Sequence, residues 1–163
     1  MYPLIVASSV SVLILLGGCQ FPEPELVQEL PACAADDGYS PNPATGQLYR
    51  AVDQRTSWTL AEIACEADGA HLAVIDDLTE NAYVFSLLGP DVWIGLSRIE
   101  RQNDFEWVND RPFDFDNWRP GEPNDTAGQE DFIELVDDGK WNDIADTDPN
   151  RFICECELPA GAL

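Results

Sequence analysis

The chain has 163 residues, 31 of them acidic against eight Lys and Arg, and a formal net charge of −23. That length allows one ordinary domain with extensions, and five Trp within a 45% apolar composition are enough to form a core, which excludes a disordered acidic chain. A surface this negative repels nucleic acid and anionic membranes, so neither is an expected partner, while cations are favoured.

The first eighteen residues carry no charged side chain. The apolar run from Leu4 to Leu16 is too short and too close to the terminus for a spanning helix, and it reads as an export signal. It ends in Leu16-Gly17-Gly18-Cys19, which resembles a bacterial lipobox, although Met1-Tyr2-Pro3 lacks the basic residues usual before such a run. The resemblance implies a signal peptide over residues 1–18, lipidation of Cys19, and membrane contact through the lipid alone. Gln20, a non-Asp residue after the cysteine, resembles Gram-negative lipoproteins sorted to the outer membrane. Residues 19–32, with Phe21-Pro22-Glu23-Pro24-Glu25, read as a semi-stiff tether. The folded domain is expected over 33–157 and a short tail over 158–163. With Cys19 removed from the count, Cys33, Cys65, Cys154 and Cys156 remain, and three pairings are possible. A Cys154–Cys156 bridge would close a tiny loop with poor geometry.

Gln47 to Val52 alternates weakly and predicts an early strand. Ser57 or Thr59 can cap a helix running to about Asp68, Thr59 with Glu62 having capping-box spacing. Leu60, Ile63, Ala64 and Ala67 are its expected apolar stripe. His71 to Ile75 predicts a strand, and the single His of the chain is expected to be structural. Thr79 to Leu88 predicts a second helix, stopped by Gly89-Pro90. Val92-Trp93-Ile94-Gly95-Leu96 reads as a core strand, and Phe105, Trp107 and Trp118 as core aromatics. Lys140 to Asp143 and Arg151 to Cys154 read as the last two strands. Between Ser97 and Asn142 lies a long stretch without regular pattern, a length usually reserved for function.

That stretch holds the chemistry. It contains Glu122-Pro123-Asn124, then Gln129-Glu130-Asp131, and runs into Trp141-Asn142-Asp143. Three carboxylates and two amides within one short segment offer the mixture of charged and neutral oxygens that a hard cation such as Ca2+ prefers. Glu122 precedes Glu130 by eight residues and Asn142 by twenty. Together with Trp93-Ile94-Gly95-Leu96, this arrangement resembles the C-type lectin-like domain, and the resemblance covers roughly Tyr49 to Glu155.

The resemblance implies an α+β fold with two helices, two small antiparallel sheets and a long calcium-binding loop. It pairs Cys65 with Cys154, and with it Cys33 with Cys156. Loops this long give each bridge on the order of 4 kcal/mol in the chain-entropy model. In the family the bond before the central proline is cis, turning the flanking Glu and Asn toward one ion. Glu122, Asn124, Glu130, Asn142 and Asp143 are the implied ligands of one calcium and the implied sugar contacts. Glu122 with Asn124 and Glu130 with Asn142 form acid–amide pairs, and Asp143 mainly holds the ion. Without the ion the three carboxylates are expected to repel one another and the loop to open. The Glu-then-Asn order implies mannose, glucose, N-acetylglucosamine and fucose types; a Gln-Pro-Asp order implies galactose types.

Two departures from the family stand out. Phe132 and Asp146 occupy the positions of the usual inner disulfide, so the loop is expected to lean on packing and on calcium. Asp125, Glu130 and Asp131 could serve an auxiliary calcium, but Arg98 and Gln102 stand at the partner positions, so a single ion is expected. The leading expectation is therefore a surface-anchored bacterial lipoprotein that binds carbohydrate through calcium. The alternative is an adhesion module that keeps calcium for stability and binds protein. A glycosidase-like carboxylate pair is the weakest reading, because the acidic residues are better explained as metal ligands and no nucleophile–His arrangement is visible.

Overall fold

The computed structural model describes Cys33, residues 38–98 and residues 104–158. The predicted signal, Cys19, the tether, Gln102 and most of the tail lie outside the described residues. In chain order the elements are β1 (Ser40–Pro41), β2 (Leu48–Thr56), α1 (Trp58–Glu66), β3 (His71–Leu72), α2 (Leu78–Leu88), β4 (Val92–Arg98), β5 (Phe105–Trp107), β6 (Phe132–Leu135), β7 (Trp141–Ile144) and β8 (Asn150–Cys156). The two expected helices and the α+β class are present. The strands do not separate into two sheets: they join in the order β1-β2-β8-β4-β6-β7, with β3 on β8 and β5 on β4. All pairs are antiparallel except β4 with β8, which run parallel where Val92 faces Arg151 and Trp93 faces Phe152. That short parallel contact is what fuses two antiparallel groups. β8 lies mid-sheet, and Asn150 and residues 152–156 are buried.

Helix α1 turns a different face inward from the one its apolar stripe predicts. Trp58, Ala61 and Cys65 are buried, while Leu60 and Ile63 are 57% and 53% exposed. Specific bonds outweigh the greater apolar area of the other face. Cys65 is bonded to Cys154, and the Trp58 indole donates to the Ile94 carbonyl at 2.7 Å. The cap is Ser57, whose hydroxyl accepts from Leu60 N. Glu62 closes no capping box; it accepts the backbone N–H of Leu72 at 2.8 Å and so ties α1 to β3. Cys33 is bonded to Cys156, fixing the start of the domain to its last strand.

The predicted strand at His71–Ile75 is regular only over His71–Leu72, because the chain leaves the ladder to share its bonds among several partners. Ala73 N donates to Ile153 O, Gly95 N to Ala73 O, and Val74 N to the Glu155 carboxylate. The close approach at Gly95 requires glycine: a Cβ there would lie 2.6 Å from Leu72 O. Leu78 extends α2 by one residue, and Asp77 caps it by accepting from Thr79 N and Glu80 N.

Trp141 forms the centre of the lower core. It is fully buried and packs with Trp107, Phe113, Phe115 and Trp118 at centroid distances of 5.7–6.4 Å. Its indole N–H donates to Asn81 Oδ1 at 2.7 Å, and Asn81 Nδ2 donates to Gly139 O at 2.9 Å. The inner-disulfide positions are tied by other means. Phe132 packs on Trp58 at 4.8 Å, and Asp146 accepts from Thr59 N and Oγ1 at 2.9 and 3.1 Å.

Two stability predictions follow from these contacts. Asn81→Ala strands the buried Trp141 N–H, while Gly139 O keeps its bond from Asn117 Nδ2, and should cost about 1–3 kcal/mol in urea unfolding. Burial, reinforced by the Glu80 and Glu157 charges and opposed by Val74 N and Arg111, pushes the Glu155 carboxyl up to about 8. A raised folded pKa contributes stability that is complete below the unfolded carboxylate value and is lost as pH rises through the folded one. In EDTA, this group should therefore lower the melting temperature between about pH 4.5 and about pH 8, and Glu155→Gln should flatten that slope.

Candidate functional site

Trp141 carries the long loop onto the sheet. Its backbone N–H donates to Asn117 O, its carbonyl accepts from Arg119 N, and Glu122 N donates back to Arg119 O. The chain then turns through a cis Glu122–Pro123 bond, as the resemblance implies. Asn124 Nδ2 donates to Glu122 Oε2, so this acid–amide pair is already formed. Asn124 Oδ1 in turn accepts from the Thr126 hydroxyl.

Asp143, on β7, is the fixed point of the loop. It is fully buried, and its two carboxylate oxygens accept from Asn124 N at 2.9 Å and Asp125 N at 2.8 Å. Charge-assisted bonds of this kind are about twice as strong as neutral ones. Asp125 Oδ1 accepts from Glu130 N at 3.2 Å, and Glu130 Oε2 accepts from Thr126 N at 2.7 Å. Partial burial pushes the Glu122 carboxyl up; the Asn124 bond opposes this, and the Asp143 and Glu130 carboxylates add to it. Glu122, Asn124, Glu130 and Asp143 thus meet in one small region.

Asn142 stands beside Asp143, yet its amide nitrogen is turned to Glu134 Oε1 at 3.0 Å. That contact uses one of its two N–H groups and leaves Oδ1 as the atom a cation would take. Glu134 also accepts from Asn150 Nδ2 at 2.6 Å, linking β6, β7 and β8. Sequence reasoning missed Glu134, Asn150 and Thr126. Glu134 had a legible signal, being a lone carboxylate in the apolar run Phe132-Ile133-Glu134-Leu135.

The auxiliary position is held by protein. Arg98 Nη1 lies 2.7 Å from Asp125 Oδ2, and Nη2 lies 3.4 Å from Asp143 Oδ2. Asp131 contributes its carbonyl, which accepts from Arg98 N at 2.7 Å. Among the described residues, no three His, Cys, Asp or Glu side chains are drawn close enough to hold a metal by themselves. The donor set fits a hard cation in kind: it is all oxygen, and two of its five members are neutral amides, so binding would rest on more than carboxylates.

Comparison with known proteins agrees with this architecture. Residues 54–156 match the family model described as the lectin C-type domain. The chain is 37% identical over 121 residues to asialoglycoprotein receptor 1 of Rattus norvegicus, an alignment covering 69% of this chain and 42% of that receptor. The chain thus spans about two fifths of the length of that curated relative. Among solved structures, the cow CD23 carbohydrate-recognition domain, determined in the presence of a GlcNAc2Man3 oligosaccharide, is 26% identical with a TM-score of 0.69. That match covers 77% of this chain and 96% of CD23's. A calcium-independent type II antifreeze protein is 25% identical with the same TM-score, the match covering 76% of this chain and 95% of the antifreeze protein. With residues 54–156 matched to that family model, this chain belongs to the C-type lectin domain family.

Proposed function

We propose that this protein binds mannose-type carbohydrate through one calcium ion held by Glu122, Asn124, Glu130, Asn142 and Asp143. The observation that carries this reading is the directly bonded Glu122–Asn124 pair, set beside a buried Asp143 whose oxygens organise the same loop. The antifreeze relative, described as calcium-independent, has the same fold, so the fold alone does not argue for a metal. The residue set does.

A calcium ion held there would supply coordination positions for two neighbouring sugar hydroxyls. The side chains then select among sugars. Each hydroxyl donates to a carboxylate oxygen and accepts from an amide N–H, and Glu122 with Asn124 presents that pair in the order suited to vicinal equatorial hydroxyls. Monosaccharide affinity is expected to be about millimolar, or about 4 kcal/mol. We further propose that residues 1–18 are a signal peptide, that Cys19 carries a lipid, and that 19–32 tether the domain to a bacterial outer membrane. Many copies on one surface would then raise the effective affinity by avidity.

The full chain should be retained on immobilised mannose in millimolar calcium, released by free mannose, and released by EDTA. Retention that EDTA does not affect would count against the metal reading. Calcium-dependent stabilisation without mannose retention would favour the adhesion module that binds protein. Glu122→Gln with Asn124→Asp should move retention from mannose to galactose columns with calcium binding kept. Glu134→Ala frees the Asn142 amide and should weaken calcium binding by about 10–100-fold, read by calorimetry. Below about pH 5 the sugar should be released, because protonated carboxylates do not hold calcium.

A further inference from the structure

Arg98 ends β4, and its side chain is only 8% exposed. Its guanidinium lies 4.9 Å from the centroid of the Phe105 ring and over its face. One terminal nitrogen takes Asp125, early in the loop, and the other takes Asp143, on the strand that closes it. Its Nε is buried with no hydrogen-bond partner, so the head is held by these two carboxylates and the ring. A planar fork suits two carboxylates in a way that an ammonium does not. Asp125 and Asp143 are themselves bonded through Asp125 N, so two like charges are packed side by side. Without a cation between them that arrangement would be repulsive.

We propose that Arg98 is a positioning residue that acts as a permanent, built-in cation. It keeps Asp125 and Asp143 together whether or not a divalent ion is present, so the loop from Glu122 to Glu130 retains its shape between binding events. This inference rests on the calcium-site reading above for its purpose, and it revises the expectation that the loop opens whenever calcium leaves. One guanidinium offsets one of those two carboxylate charges, so the other, with those of Glu122 and Glu130, is left for an arriving ion. Preorganisation of this kind lowers the ordering cost of binding.

Hydrogen exchange of the full chain, followed by mass spectrometry, tests it. In EDTA, Arg98→Met should speed exchange across residues 122–131 by about tenfold or more while leaving β8 unchanged, as a local opening does. Calcium should restore protection, which a general loss of packing would not allow. Arg98→Lys should restore protection in part, because the charge remains and the fork does not. Asp125→Asn keeps an oxygen for Glu130 N and removes only the partner of the guanidinium. It should open the same segment, and adding it to Arg98→Met should open the segment no further. Wild-type protection of 122–131 in Arg98→Met under EDTA would overturn the proposal. If Arg98→Met also loosens β8, Asp125→Asn decides, and wild-type protection there overturns it. Loss of protection in EDTA that calcium fails to reverse, with no calcium response in the wild type, would support the role of Arg98 and overturn the calcium reading.

Discussion

The indole N–H of Trp141 bonded to Asn81 is the contact on which the site depends. It sits at the centre of an aromatic cluster and fixes a residue whose backbone N–H and carbonyl both bind the long loop. Asn142 and Asp143 follow immediately in sequence, so their placement is inherited from Trp141. A polar side chain of α2, bonded to Trp141 and Gly139, thus sets the position from which the loop is hung. A buried N–H would be costly to leave unpaired, which makes the registration of Trp141 nearly all-or-none.

Charge is organised around this frame with few cations to spare. Arg50 pairs with Asp68, Arg55 with Asp91, Arg98 with Asp125 and Asp143, and Arg111 with Asp76 and Glu157. Most of these pairs are partly exposed and contribute little individually. Arg98 differs because it is buried and meets two carboxylates that are already bonded to each other. Most of the remaining acidic side chains among the described residues face solvent.

Much of the fold was legible because its signals are local. Gly89 and Pro90 stop α2, the Trp93–Leu96 run marks β4, and Gly95 sits where only a missing side chain lets two strands approach. The face of α1 was misread because the apolar stripe of Leu60 and Ile63 competes with a disulfide and an indole hydrogen bond, which periodicity does not reveal. The single sheet was missed because its parallel β4–β8 contact joins segments far apart in sequence. In the site, Glu122, Asn124, Glu130, Asn142 and Asp143 were named through a resemblance that their types and spacing carry, and the fold brings Glu122, Asn124, Glu130 and Asp143 together. The hydrogen bonds that orient them, from Glu134 to Asn142 and from Arg98 to Asp143, arise from strands brought together by folding. Arg98 was visible as a poor metal ligand; its pairing with Asp125 and Asp143 was not.

The bridge between Cys33 and Cys156 has a mechanical meaning. Cys156 is one end of β8, and Asn150 is the other, where it grips Glu134, which in turn holds Asn142. A load pulling on the chain at Cys33 enters through a covalent bond and passes along a strand paired on both sides. It reaches β7 along the β8–β4–β6–β7 ladder and, in parallel, through the two side-chain hydrogen bonds of Glu134. Those two bonds are the more compliant route, and the laddered strand beside them spreads shear over its neighbours.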